Sequence, residues 1–479
     1  MLLQRWQLLA LYACVLTALA WPVLWVDIPV GVDTLNHFAR IHVRAHIDTD
    51  PDLARLFEVR NVPVPYLGMD LLLTPLARVI PTLTLARLFT VALVWGIVGA
   101  TAVLQRAFSG RWGWEPLLAS LVAWNGLMAW GFLNYVLGMI LALLGLVAWH
   151  ALRAWRWPGR LAVFISIVTG LYFTHLLAAL VFGLLSGIHT LYTKRANRLA
   201  SVAILIASFV PVLVVFASFS APPLDGATVS YDFGLKLVGL ASPFLFSGYY
   251  GGVEAGYLVM LGTVTLVGYL TVLHPRQLAP LPMRIALVTF SAGVFLPSYV
   301  LGIFGLDFRL PVAACCCAIA ALKLPLHDRR TILVVGVAFS ILLTVRIYDV
   351  QAMMLGFQEP YAELRSSLAN IPRGSIIIPL INRTNFDGAV KPSFMYEHFA
   401  QLAIIDRSSA ATDFFSQLGS VRGRGAAATF KSETLGTVII EQLPRHGYAL
   451  MIHLGQSWAI PPGAKRVTQG RLMDVLALP

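Results

Sequence analysis

Apolar residues fall along this chain in long blocks separated by short polar stretches, until about residue 348, where the pattern changes. An α-helix needs about 17–25 apolar residues to cross a bilayer core. Blocks of that kind predict eleven spans, near residues 7–26, 86–104, 115–132, 134–152, 161–175, 177–193, 199–219, 257–273, 285–304, 308–322 and 331–348. Residues 160–193 are too long for one span and short for two, so they read as two short or tilted helices meeting near His175. Residues 66–80 form a further apolar patch that predicts a re-entrant or interfacial segment. The first block follows Arg5 and contains Ala18-Leu19-Ala20, which resembles a signal-peptidase site. With a multispanning chain behind it, it reads as a retained signal anchor.

From Asp349 the apolar runs are too short to span. Ser375–Ile378, Leu402–Ile405, Thr437–Ile440 and Tyr448–Ile452 are rich in β-branched residues and predict strands. Tyr361–Ala369 and Phe394–Ala403 have helical character, and turns such as Val421-Arg422-Gly423-Arg424-Gly425 separate the elements. The expected organisation is a polytopic α-helical membrane domain over 1–348, with a long first loop at 27–85, followed by a small α/β domain over 349–479.

Composition agrees with a membrane protein. The chain of 479 residues is 58% hydrophobic and 12% charged, with a mean hydropathy of +0.76; soluble domains carry about 25% charged residues. The net charge of +12 does not mark a nucleic-acid binder, because the basic residues punctuate the apolar blocks. Arg5, then Arg106 and Arg111, Arg153, Arg156 and Arg160, Lys194, Arg195 and Arg198, Arg276 and Arg284, and Lys323, Arg329 and Arg330 occupy every second loop. The loops between them are near-neutral or acidic: 27–85 holds five arginines against seven acids, and 220–256 one lysine against three. By the positive-inside rule the N-terminus is cytoplasmic and the C-terminal segment extracytoplasmic. Residues 27–85, Asn134-Tyr135, His175, Asp225, Asp232, Glu254, Asp307 and Arg309 then collect on the outer side. The expected location is an inner (plasma) membrane.

Candidate chemistry concentrates after the first span. Asp33, His37 and Arg40 are spaced i, i+4, i+7, which puts them on one helix face. An acid, an imidazole and a guanidinium at a membrane boundary form a site hypothesis, although Asp33 is also well placed to cap the helix that follows. Asp307 and Arg309 could pair with one another, and Tyr249-Tyr250-Gly251-Gly252 could line a sugar site. Cys14 and Cys315-Cys316-Cys317 lie in apolar blocks without CxxC spacing and read as packing residues. The histidines are scattered and show no zinc pattern.

Taken with Gly31-Val32-Asp33, Trp130-Gly131-Phe132-Leu133-Asn134-Tyr135-Val136-Leu137-Gly138 and Asp307-Phe308-Arg309, this layout resembles the GT-C superfamily of polyprenyl-phosphate-dependent glycosyltransferases over residues 1–350. The resemblance implies an acid in the first external loop that accepts a proton from an acceptor hydroxyl, here Asp33 with His37 beside it. It implies a lipid-linked sugar phosphate donor, for which Arg40, His175 and Arg309 are the candidate phosphate contacts and Asp307, Tyr249 and Tyr250 the other substrate contacts. The acceptor would be an envelope glycan, lipid or protein. Many members carry two adjacent acids, whereas Val32-Asp33-Thr34 offers one; Asp48, Asp70 or Asp225 could supply the second, and no metal is expected. Two other functions stay open: a GT-C-like scaffold of envelope polysaccharide machinery without catalysis, and a transporter of lipid-linked saccharides. No internal repeat marks the latter.

Overall fold

The computed structural model describes residues 4–60, 62–193, 198–218, 229–246, 253–273, 278–300, 303–324, 329–381, 393–412, 420–425, 447–455, 460 and 463–479. Tyr249, Tyr250, Asp225, Lys194, Arg195, Arg276 and the expected strand at 437–440 lie outside them. The chain divides into two compact units, Met1–Leu24 with Thr90–Gln351, and Trp25–Phe89 with Ala352–Pro479.

Six helices among the described residues are long and apolar enough to cross a membrane: Arg5–Leu24, Thr82–Ser109, Leu133–Ala154, Arg198–Ser218, Ala255–Val272 and Arg329–Ala369. Leu67–Ala77, Leu176–Tyr192 and Pro280–Phe295 are shorter apolar helices. The chain does turn at His175, which is extended (φ −167°, ψ 124°) between Trp157–Thr174 and Leu176–Tyr192. Small residues let these helices approach: a Cβ at Gly138 would collide with that of Ala178, and one at Gly145 would meet the Phe182 ring. Trp149 packs edge-on against Phe164, with centroids 4.6 Å apart.

Two expected spans are not continuous helices: 285–304 is helical only to Phe295, with short strands at Tyr299–Val300 and Ile303–Phe304, and 115–132 is broken throughout. Residues 115–132 contain a 3-10 turn at Glu115–Ala119 and two one-turn helices, Ser120–Ala123 and Gly126–Ala129. Asn125 breaks the run. Its side-chain oxygen accepts the N–H groups of Leu127 and Met128, and its amide donates to the carbonyls of Val122 and Ala123. A buried residue that satisfies both flanking backbones by itself favours a turn over a helix interior. The segment is apolar because it is core, and its side chains are buried.

In the second unit, helix Thr34–His46 buries Leu35, Phe38, Ile41 and Val43. Phe57–Val59 pairs antiparallel with Val421–Gly423, in the register Phe57↔Gly423. The segment 25–89 thus shares a unit with residues 352–479, an association that no local pattern announces. In a five-stranded sheet Ile376–Ile381 is second from one edge and Tyr448–Ile452 is the middle strand. Ile376–Ile381 is parallel to Ala410–Ala411 on one side and to Tyr448–Ile452 on the other. Met473–Ala477 and Lys465–Gln469 continue it antiparallel. Ile378, Leu380, Ala449, Met451 and Leu476 pack on one another as a core cluster.

The expected strand at 402–405 is instead the start of helix Leu402–Arg407. Leu402, Ala403 and Ile404 are buried there, in contact with Thr34–His46. Ser408 closes the helix in the left-handed region (φ 49°), with its N–H on the Ala403 carbonyl. Burial of a short apolar run, whose periodicity does not separate strand from helix, decided the outcome.

Candidate functional site

Gly31-Val32-Asp33 leads into helix Thr34–His46, so Asp33 stands at the N-cap position. Its carboxylate makes no capping hydrogen bond. It faces His398, whose Nε2 lies 3.3 Å from Asp33 Oδ1, with side-chain exposures of 17% for Asp33 and 10% for His398. The cap reading of the acid is therefore displaced by a long-range contact. The residues flanking His398 in sequence belong to an aromatic cluster: Tyr396 and Phe399 lie 4.6 Å apart by ring centroids, Phe399 stacks on Tyr361 at 4.6 Å, and Phe357 closes the group. Burial raises the Tyr396 hydroxyl to about 12 and keeps it neutral.

His37 and Arg40 come together as the spacing predicts. Arg40 Nη2 lies 3.4 Å from His37 Nδ1. A guanidinium only donates, so Nδ1 is the acceptor and the His37 proton sits on Nε2. Arg40 also meets a residue that the spacing did not single out. Its Nε and Nη2 reach Asp70 at 2.8–3.0 Å, with both side chains buried. Asp70 also accepts the Ser420 hydroxyl, and Arg44 donates to the Ser420 carbonyl. Asp70 is thus the acid nearest to the Asp33 helix in this network, and it is committed to an ion pair. Asn36, one turn after Asp33, is buried with neither amide atom hydrogen-bonded within the protein.

The far end of the same helix carries a second polar group. His42 Nδ1 lies 2.8 Å from the Thr82 hydroxyl, and burial together with the nearby His46 lowers its pKa to about 4. Burial acts to raise the Asp50 carboxyl. Hydrogen bonds from Ser408, Leu53 and Asp52, with the charge of Arg373, outweigh it and hold Asp50 below its ordinary value.

The other predicted residues gather in the first unit. His175 Nδ1 accepts the Leu177 N–H, which leaves the ring proton on Nε2. Its ring stands edge-on to Tyr135 at 5.3 Å. The Tyr135 hydroxyl donates to the Arg309 carbonyl, and the Arg309 guanidinium lies 4.5 Å over the Phe132 ring and 5.5 Å from that of Tyr135. Asp307 follows Gly305, which starts helix Leu306–Ala321 with a φ of +70°. It pairs with Lys236 at 3.2 Å and accepts the Ser298 hydroxyl at 2.8 Å. Asn134 is buried and neither of its amide atoms is hydrogen-bonded within the protein.

The predicted residues therefore form two groups: Asp33, His37 and Arg40 in one unit, and His175, Asp307 and Arg309 in the other. Sequence reasoning missed His398, Lys236 and Ser420, each brought in by chain folding. Among the described residues, no group of three or more His, Cys, Asp and Glu is arranged to hold a metal ion.

No protein-family model matches the chain, and no curated protein does. Among solved structures it is similar to the arabinofuranosyltransferase AftD from mycobacteria, with 13% identity over the whole of this chain and a TM-score of 0.51. The chain spans 40% of the length of AftD. It is also similar to apo ArnT from Cupriavidus metallidurans, with 12% identity, 98% of this chain, 97% of that one and a TM-score of 0.53. At these identities the likeness establishes the fold. It is the fold shared with these two structures, in a multi-pass membrane protein.

Proposed function

We propose that the chain is a GT-C glycosyltransferase that moves a sugar from a polyprenyl-phosphate donor to an envelope glycan, lipid or protein acceptor. In this reading the N-terminus is cytoplasmic, the long apolar helices cross an inner membrane, and Asp33 lies on the extracytoplasmic side. The observation that carries the reading is the Asp33–His398 contact on a GT-C fold. One Asp33 oxygen takes the acceptor hydroxyl proton as the acceptor oxygen bonds to the anomeric carbon. The bond from that carbon to the donor phosphate oxygen breaks, and its electron pair leaves with the polyprenyl phosphate. His398 touches the other Asp33 oxygen and is a positioning residue. A donor N–H there fixes the carboxylate rotamer and leaves one oxygen for the proton. Within the unit of Asp33, Asn36 offers a buried amide to a hydroxyl group; His175 and Arg309 are proposed as phosphate contacts of their own unit. The reading uses no metal.

Arg40 is proposed to orient His37 and not to bind phosphate, because Asp70 already occupies its guanidinium. That same commitment of the second acid favours the scaffold reading, in which the fold persists without turnover. A test separates them. The full chain is reconstituted in liposomes with a panel of radiolabelled undecaprenyl-phosphate sugars. Transfer from any one donor supports the enzyme; no donor binding across the panel favours the scaffold.

A further inference from the structure

Arginines gather at one end of the helices Leu133–Ala151, Trp157–Thr174, Leu176–Tyr192 and Arg198–Ser218. Arg153, Arg160 and Arg198 line a shallow cleft there with His189, Ser201 and Trp149. No aspartate or glutamate occurs anywhere from residue 116 to 224. The cleft therefore carries positive charge and no carboxylate among its lining residues.

Topology accounts for cations in this loop but not for their placement. A residue that only sets orientation lies in the headgroup layer, with its long side chain exposed. Arg160 is 4% exposed. Its guanidinium lies 4.0 Å over the Trp149 ring and donates to the Ser201 hydroxyl at 3.0 Å. Trp149 in turn donates to Thr190 at 3.1 Å. Arg153 donates to His150 Nε2 at 2.9 Å, so His150 carries its proton on Nδ1 and donates it to His189 Nε2 at 3.0 Å. The hydrogen-bond directions thus run from the exposed arginine into the buried wall. A planar guanidinium fixed on an aromatic face, with two exposed arginines at the rim and hydroxyls between, suits the oxygens of a phosphate group.

We propose that this cleft binds the phosphate of an anionic phospholipid headgroup, at the membrane face that carries the basic loops. The site is separate from Asp33 and from the sugar chemistry. Basic pockets between membrane helices recognise anionic headgroups by this combination of charge and shape.

The test measures binding of dioctanoyl phosphatidylglycerol, dioctanoyl phosphatidylcholine and inorganic phosphate to the full chain in neutral detergent, by native mass spectrometry and calorimetry. Phosphatidylglycerol binds at one site, phosphatidylcholine at least tenfold more weakly, and added salt weakens the former. The double variant Arg153→Gln/Arg198→Gln changes exposed side chains, so it tests the site without touching the core, and it lowers phosphatidylglycerol affinity at least tenfold. Arg160→Gln, where it folds, does the same. Inorganic phosphate that competes at equal concentration assigns the site to a soluble phosphate and overturns the lipid. Phosphatidylglycerol affinity within twofold of wild type in the double variant overturns the site itself.

Discussion

Replacing Asp70 by Asn removes the negative half of a buried ion pair and changes little else in shape. In the native protein Asp70 takes Arg40 Nε at 3.0 and 2.8 Å and Nη2 at 2.8 Å, and its side chain is 1% exposed. Asparagine offers one acceptor oxygen and no charge, so the Arg40 guanidinium stays in the interior without its counter-charge. Breaking a buried pair from one side costs about 3–5 kcal/mol. The retained amide oxygen puts the effect at the lower end, about 3 kcal/mol, which is about a hundredfold in an opening equilibrium. Asp70 also holds Ser420, next to the ladder Phe57–Val59/Val421–Gly423, so that ladder should open with it. Hydrogen exchange of the full chain in detergent, read on peptides covering 34–46, 57–59 and 421–423, should speed up about a hundredfold. The combined change Arg40→Met/Asp70→Leu should restore most of the protection, because it removes both charges. Exchange within threefold of wild type in Asp70→Asn would refute the claim that this pair ties the Asp33 helix to the C-terminal residues.

Three other outcomes follow from the same geometry. His398→Ala should lower kcat at least tenfold with little change in donor KM, and His398→Gln, which keeps an N–H donor, should recover part of the loss; a KM effect alone argues against positioning. His42 is lowered from 6.5 to about 4, so the folded form holds fewer protons than the unfolded chain between those values. Its contribution, up to about 3 kcal/mol at 1.4 kcal/mol per pH unit, is complete above pH 6.5 and is lost as the pH falls towards 4. Thermal unfolding of His42→Gln should therefore depend less on pH across that window than the wild type does. Gly374 has a φ of +70°, and a Cβ there would run into Asp52 and Arg55. Gly374→Ala should destabilise the unit by about 1–2 kcal/mol from backbone strain alone, measured as a lower unfolding midpoint.

Much of the fold is legible because a bilayer imposes a single length on apolar runs. Helix Leu133–Ala151, the break at His175 and the strands Ile376–Ile381 and Tyr448–Ile452 follow from local patterns. The failures have different causes. Residues 115–132 are apolar because they are buried in protein, and hydropathy does not distinguish that from burial in lipid; 402–405 is too short a run for periodicity to separate strand from helix. Within the candidate site, Asp33, His37 and Arg40 are legible because one helix face carries all three. Their partners are not. Asp70 lies 30 residues from Arg40, and His398 lies 365 residues along the chain from Asp33. A histidine within Tyr396-Glu397-His398-Phe399 bears no mark of the carboxylate that folding brings to it. The exposed or buried state of a single asparagine, such as Asn36, is equally invisible without its tertiary neighbours.

The central claim is that Asp33 accepts the acceptor proton in sugar transfer. Its most direct test compares single-turnover transfer from a radiolabelled undecaprenyl-phosphate sugar by wild type and Asp33→Asn in proteoliposomes, with donor affinity measured on the same samples. General-base catalysis contributes about 10²–10⁴-fold. The account predicts transfer slowed by at least a hundredfold in Asp33→Asn, with donor affinity within threefold of wild type; equal transfer rates in the two proteins would contradict it.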